Sequence, residues 1–307
     1  MKINRRKALA NIALVSSAAV MPGIGYTKED KKRKEVFRYC LNTSTISGQK
    51  LGLKKYIDIA AAAGYDGIEV WVRDVTAYLE EGNDASELKQ YISDKELKVE
   101  NAIGFAPWIA GGEAGMQQMQ EEMEMLASIG GTRIAAPPAG VSGDEPLDFL
   151  EVGEKYAAIL ELGRKTGVMP QLEFWGASKA MWHLGQIMMV AAATGDPDAR
   201  LLPDVYHLFR GGSGFEGLKM LQGDMIEIFH INDYPGTKPR EKQVDADRIY
   251  PGDGVAPLKD ILTTLKNMGG TKVLSLELFN RTYWRQDPLE VAKTGLAKMK
   301  AAVAKVK

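Results

Sequence analysis

Eight short apolar runs, each followed by a segment of helical periodicity, constrain this chain more than any other feature. The runs are VFRYCLNTS (36–44), GIEVWV (67–72), KVENAIGF (98–105), RIAAPPAG (133–140), MPQLEFWG (169–176), ARLLPDVYH (199–207), MIEIFHIND (225–233) and KVLSLELFN (272–280). Apolar residues recur at helical spacing over 51–63, 86–95, 116–129, 148–166, 180–194, 215–222, 257–268 and 288–305. Runs with little polar alternation fit strands packed on both faces, and strands alternating with helices call for a parallel sheet. Gly64, Gly130, Gly167, Gly195 and Gly269 stand where helices should stop. Eight such units over residues 36–307 predict an α/β fold, a single-domain (β/α)8 TIM barrel. An open doubly wound sheet is the rival, but no run is followed by the glycine-rich phosphate loop of its nucleotide-binding forms. With 307 residues, 45% hydrophobic and 26% charged, the chain has the apolar content a core of that size needs.

The last run poses the chemical question. Glu277 sits among Val273, Leu274, Leu276, Leu278 and Phe279, and an ionised carboxylate is almost never buried there without a partner. In a barrel, reactive side chains stand at the C-terminal ends of strands. The ends of runs five to eight hold Glu173, Asp204, His230 and Glu277, one from each. Alone, each has an ordinary explanation: a strand-end Asp caps a helix or ties a loop, and a histidine in an apolar strand is usually a hydrogen-bonded core residue. Together, three carboxylates converging on one mouth repel one another unless a cation sits between them. All four are therefore expected to hold one divalent metal ion. The mostly oxygen donor set favours Mn2+, Mg2+ or Co2+ and is compatible with Zn2+.

Further candidates follow from the same strand-end rule. His207, three residues after Asp204, can turn toward a bound substrate. Arg248, in the long 234–256 loop, either reaches a substrate oxygen, orients a ligand carboxylate or is simply solvated. Trp71, Phe105, Trp108, Trp175 and Trp284 fall at or just past strand ends, where they line an apolar wall or cap the barrel. Trp108, Trp175 and Lys179 are expected on the substrate side, although nothing forces Lys179 or the nearby His183 inward.

The first thirty residues read differently. Basic MKINRRK leads into the apolar, small-residue run ALANIALVSSAAV, and TKEDKKRKE then reads as a solvated linker. This is the pattern of a signal peptide, with a cleavage site near Ser17-Ala18-Ala19 and a linker to residue 30 and beyond. Arg5-Arg6 partly matches the twin-arginine route, so an exported, periplasmic location is expected. An uncut membrane anchor is the alternative, against which the apolar run is short. Loss of residues 1–19 removes four positive charges and no negative one, taking the formal charge from −1 to −5. A mildly acidic mature chain points away from nucleic acid and anionic membranes as partners. Cys40 is the sole cysteine, so there is neither a disulfide framework nor a thiolate metal site. A homo-oligomer is compatible with the sequence, but no stretch marks an interface.

At these residues the chain resembles the xylose isomerase-like TIM barrels, the sugar isomerase/epimerase superfamily, over most of residues 36–305. Within it the likeness is to the inosose (2-keto-myo-inositol) isomerases, carried by YDGIEV, LEFWG, DVYHLFRGGS, FHINDYPG and, most specifically, DADRIYPGDG followed by LSLELFN. The resemblance implies a metal held by Glu173, Asp204, His230 and Glu277. It also implies Glu173 and Glu277 as an acid/base pair on opposite sides of a carbohydrate substrate, and His207 and Arg248 as substrate-side groups. The implied activity is isomerisation or epimerisation of a keto-sugar or keto-cyclitol, by proton abstraction next to a metal-coordinated carbonyl.

Two alternatives stay open. Inositol breakdown is cytoplasmic whereas this N-terminus reads as exported, which raises a 3-keto-glycoside lyase or hydratase using the same enolate chemistry. A non-catalytic sugar-binding barrel is the alternative of another class. The related abasic-site endonucleases use a histidine-rich zinc cluster and a basic face, which three histidines and an acidic chain do not supply.

Overall fold

Every apolar run forms a strand, in the expected order. The computed structural model describes residues 36–306; the signal segment expected over residues 1–30 lies outside them. The strands are β1 (Phe37–Asn42), β2 (Gly67–Trp71), β3 (Lys98–Ile103), β4 (Arg133–Ala136), β5 (Met169–Glu173), β6 (Arg200–Leu202), β7 (Ile228–Ile231) and β8 (Lys272–Leu276). All ladders are parallel, in the orders β3-β2-β1-β8-β7 and β4-β5-β6. Past the end of β6, the Pro203 carbonyl accepts the His230 N–H at 3.0 Å, tying the two sheets together where chemistry is expected. On the other side β3 lies beside β4, and the fold is a TIM barrel.

The helices are α1 (Leu53–Ala63), α2 (Val72–Glu80), α3 (Ala85–Asp94), α4 (Gly112–Ser128), α5 (Phe149–Thr166), α6 (Leu184–Thr194), α7 (Val205–Arg210), α8 (Leu258–Met268) and α9 (Pro288–Val303). Gly64 and Gly167 end α1 and α5 in the left-handed conformation, which costs glycine nothing because it has no Cβ. Three expectations are corrected. The run at 215–222 forms only a 3-10 turn over Glu216–Met220. Helix α2 starts directly on the end of β2, where no helical segment is expected. The run 199–207 stops being strand at Leu202, because the Asp204 carboxylate accepts the His207 backbone N–H at 2.9 Å and starts α7.

Two apolar layers result from the pleat. Outward-facing residues such as Ile68, Val70, Leu172, Phe229 and Leu274 pack beneath the helices. Inward-facing Cys40, Trp71, Ile103, Ala135, Leu202, Ile228 and Val273 form a separate cluster within the ring. Between Cys40, Ala135, Ile228 and Val273 on one side and Trp71 and Ile103 toward the mouth, the inward positions turn polar: Asn42, Glu69, Asn101, Gln171, Glu173, His230 and Ser275 are all buried. No helix among the described residues is long and apolar enough to cross a membrane.

Candidate active site

Polar side chains in the middle of a barrel must find one another, and His230 is the centre of this network. Its Nε2 faces Glu69 Oε1 at 3.0 Å, and that carboxylate also accepts from Asn101 (2.6 Å), Asn42 (2.8 Å) and the Ser275 hydroxyl. Asn42 in turn donates to Glu277 at 3.1 Å and accepts from the Trp71 indole at 3.0 Å. This belt fixes the imidazole ring so that Nδ1 looks toward the mouth. There it lies 3.3 Å from Glu277 Oε2 and 3.7 Å from Asp204 Oδ2, yet Nδ1 makes no hydrogen bond although it is fully buried.

An orphaned imidazole nitrogen between two carboxylate oxygens is what a metal site presents before its ion. Asp204, His230 and Glu277 offer ligand atoms within 4.8 Å of one another, and all three residues are buried. The carboxylate of Glu69 behind Nε2 completes the arrangement, since ligating histidines characteristically donate their other nitrogen to a carboxylate. The donor set therefore fits a divalent ion. Glu173 is not part of that trio, and among the described residues no side chain hydrogen-bonds its carboxylate. It lines the adjoining cavity of about 660 Å³ together with Glu277, His207 and Arg248.

Arg248 is no solvated loop residue. The Asp233 carboxylate accepts the backbone N–H groups of Tyr234, Gly252, Gly254 and Ala256 at 2.8–3.0 Å. This knot turns the loop after β7 into a rigid platform, and Arg248, 1% exposed, reaches inward from it. Its Nη1 bridges Asp204 Oδ2 (2.8 Å) and Glu277 Oε2 (2.6 Å), while Nη2 meets Asp245 at 2.7 Å. His207 Nδ1 accepts the Gly176 N–H at 3.2 Å, so the ring proton belongs on Nε2. That nitrogen lies 3.1 Å from Arg248 Nη2, a contact of donor with donor at the cavity wall.

Burial and charge pull the titrating groups apart. Burial drives Glu173 upward, the Glu277, Asp204 and Glu69 charges add to it, and the carboxyl reaches about 8 despite His230. Burial pushes Asp204 upward as well, but the Arg248 guanidinium, His207, His230 and the hydrogen bond from the His207 N–H together hold the carboxyl below its ordinary value. His207 is lowered by burial and by Arg248 and stays neutral. Burial also opposes charge on His230, yet Glu69 and Glu277 raise it well above an ordinary imidazole.

Of the expected substrate-side residues, His207, Arg248, Trp175 and Lys179 line the cavity and Trp108 does not. Trp108 is 1% exposed, donates its indole N–H to the Pro137 carbonyl at 2.8 Å and packs on Tyr156: it belongs to the core. Trp284 likewise turns away and donates to the Ser44 carbonyl. His183 caps α6, accepting the Gly185 N–H. Trp71 and Phe105 do face the cavity, and Phe279 and Tyr206 join them. Glu69 escaped the sequence reading, although a glutamate inside GIEVWV raises the same question as the one inside KVLSLELFN.

Comparison with known proteins places this geometry in context. The model of the xylose isomerase-like TIM barrel family matches residues 57–302. An inosose isomerase of Bacillus velezensis is 27% identical over 279 residues, covering 87% of this chain and 98% of its own. An inosose isomerase of Halalkalibacterium halodurans is 26% identical over 268 residues, covering 84% and 93%. Among solved structures, IOLI protein with a binding zinc atom superposes with a TM-score of 0.79 at 24% identity, covering 88% of this chain and 99% of its own. D-psicose 3-epimerase in the presence of D-fructose follows with a TM-score of 0.69 at 15% identity, covering 87% and 99%.

Proposed function

The chain belongs to the xylose isomerase-like TIM barrel family, and on that premise we propose that it is a divalent-metal-dependent isomerase or epimerase of a keto-sugar or keto-cyclitol. The observation that carries this reading is the buried trio Asp204, His230 and Glu277 with an unpaired His230 Nδ1, opening on a cavity that also presents Glu173. The relatives named inosose isomerase support the reaction type. When bound, a divalent ion supplies positive charge that polarises a carbonyl and steadies the negative charge left when a neighbouring C–H proton departs.

The rest falls to side chains. Glu173, whose carboxylate faces the cavity beside the trio, is placed to exchange a proton with a bound substrate, as a general acid or base must. Glu277 is the second carboxylate of the pair. The ionised one takes the proton from the carbon beside the carbonyl, and the protonated one gives its own proton to the opposite face of that carbon, which is epimerisation. Delivery to the former carbonyl carbon, with the neighbouring hydroxyl proton passing to the carbonyl oxygen, is carbonyl migration. Arg248 holds Glu277 and Asp204 in place, and with His207 it is read as gripping substrate oxygens. The aromatic side chains of the cavity exclude water from the reacting carbons. If a leaving group sits β to the carbonyl, the same deprotonation expels it, which is the 3-keto-glycoside lyase alternative.

The test couples metal content to solvent-deuterium wash-in. Elemental analysis over Mn2+, Mg2+, Co2+ and Zn2+ should find about one ion per chain, depleted in Glu277→Gln. Deuterium should enter the carbon beside the carbonyl of keto-sugars or keto-cyclitols, and Glu173→Gln and Glu277→Gln should each lose about 10³-fold of that rate. No bound metal and no exchange with any added ion would leave the four residues a polar cluster and end the enzyme reading. Export rests on residues 1–30 as part of the same proposal: N-terminal sequencing of the periplasmic fraction should show cleavage near Ala19, and full-length chain found only in the cytosol overturns it.

A further inference from the structure

Glu277 lies one residue beyond the ladder that holds its strand. Strand β8 ends at Leu276, and the last rung between β1 and β8 pairs Leu41 with Leu276. Asn42 and Glu277 therefore stand opposite each other one step past the pairing, where no ladder bond fixes the backbone. The turn after β1 takes over. Thr45 lies fully buried in the 3-10 segment Thr43–Gln49. Its hydroxyl donates to the Leu276 carbonyl at 2.8 Å and accepts the Leu278 N–H at 3.1 Å, so one side chain grips the backbone on both sides of Glu277. Asn42 grips the carboxylate. Its Nδ2 donates to Glu277 Oε1 at 3.1 Å and to Glu69 Oε2 at 2.8 Å, while its Oδ1 accepts the Trp71 indole at 3.0 Å and the Ser44 N–H at 2.9 Å. Two donors and two acceptor positions are all that a primary amide has, and here all four are in use. Turned over, the amide would set its oxygen against two carboxylates and its NH2 against two N–H groups, so the side chain holds one orientation. The turn is braced from the β8 side, where the Trp284 indole donates to the Ser44 carbonyl at 3.0 Å and its ring leaves no room for a Cβ on Gly48.

We propose that Asn42 and Thr45 are the positioning residues of Glu277, Asn42 acting on Oε1 and Thr45 on the peptide groups to either side. With Oε1 held by Asn42 and Oε2 held at Arg248 Nη1, the plane of the carboxylate is set from both ends. Neither Asn42 nor Thr45 lines the cavity, so both act through Glu277 and touch no substrate. The inference rests on the reading of Glu277 as one carboxylate of the proton-transfer pair and deepens it by naming what aims that carboxylate.

The experiment removes the grip without changing its shape. Thr45→Val deletes both bonds to the backbone, and Asn42→Asp deletes both N–H donors. In each, kcat for deuterium wash-in should fall about 10–100-fold with KM held within about twofold, since a reacting group displaced by roughly 1 Å loses rate more than binding. Thr45→Ser keeps the hydroxyl and should recover most of the loss. Added to Glu277→Gln, Thr45→Val should cost little more than Glu277→Gln alone, because no carboxylate is left to aim. Crystal structures of the metal-free variants read the positioning without turnover: the Glu277 carboxylate should leave its place at Arg248 Nη1. Unchanged kcat in both variants, a loss that Thr45→Ser does not recover, or losses that multiply in full with that of Glu277→Gln overturns the inference. The functional reading fails separately. If the unmodified protein exchanges no deuterium with any keto-sugar or keto-cyclitol, the proton chemistry is removed and the crystals decide alone: a displaced carboxylate keeps the positioning, and an unmoved one ends it.

Discussion

The barrel carries a charged cluster at each end, and the two differ in how their charges balance. At the N-terminal end Arg38 meets Glu100 at 2.6 Å, Arg133 reaches both Glu100 and Glu227, and Arg200 approaches Glu227. Three cations enclose two anions there, and the arginines keep 16–25% of their side-chain surface in water. At the C-terminal end Glu69, Glu173, Asp204 and Glu277 are at most 4% exposed. They have Arg248 and the His230 imidazole for company. Glu100 and Glu173 are both raised by burial, so a raised carboxyl alone does not mark a reactive group. What separates them is partnership: Glu100 has two arginines pulling it back toward ionisation, while Glu173 has His230 set against the like charges of Glu277, Asp204 and Glu69. Carboxylates outnumbered by arginines form a clasp, and carboxylates that outnumber their cations form the setting the proposed ion would need.

That contrast can be broken at either end. The largest expected stability effect lies at the clasp, where Glu100→Ala takes from Arg38 its carboxylate partner and leaves Arg133 with Glu227 alone. We expect it to cost about 2–3 kcal/mol, below the figure for a fully buried pair because the arginines are partly wet. Urea unfolding measures the loss, and metal content should not change; an unaltered midpoint would mean the clasp is ornamental. At the opposite end Glu69→Gln removes the negative charge behind His230 Nε2. Metal affinity by chelator competition should drop about 10–100-fold, whereas an undiminished affinity would make Glu69 a packing residue.

The smallest effect concerns pH and the surplus charge itself. The Glu173 carboxyl moves from 4.5 in a free chain to about 8 when folded. Between those values the folded state binds more protons than the unfolded one, so metal-free stability falls as pH rises through that window. Glutamine at 173 carries no such slope. In chelator, Glu173→Gln should unfold at nearly the temperature of the unmodified protein at pH 5 and at least about 3 °C higher at pH 8, the shift of roughly 1 kcal/mol in a domain of this size. A constant difference at the two pH values would show that burial does not raise Glu173.

Much of the site is visible in the sequence because buried charge is conspicuous there. Glu277 inside KVLSLELFN and His230 inside MIEIFHIND stand out against their neighbours, and the strand-end rule puts Glu173 and Asp204 beside them. Asp204 turns out to do two things, since one carboxylate oxygen caps α7 while the other faces His230 and Arg248. The ordinary reading, a helix cap, describes one oxygen, and the proposed metal-binding role falls to the other. Trp108 and Trp175 each follow a strand end closely, but Pro137 and Tyr156 claim the first for the core, and no local pattern tells the two apart.

The sequence by itself determined the order and kind of nearly every element, because strand and helix periodicity are properties of neighbouring residues and repeat here eight times. It determined, too, that carboxylates would lie among apolar residues. Only the tertiary structure decided which groups meet. Glu69 and His230 are 161 residues apart, Arg248 comes from a loop knotted around Asp233, and Phe105 finds Trp71 and Trp175 across the mouth. Those meetings depend on barrel closure and strand register, in which a shift of one residue turns every side chain to the opposite face.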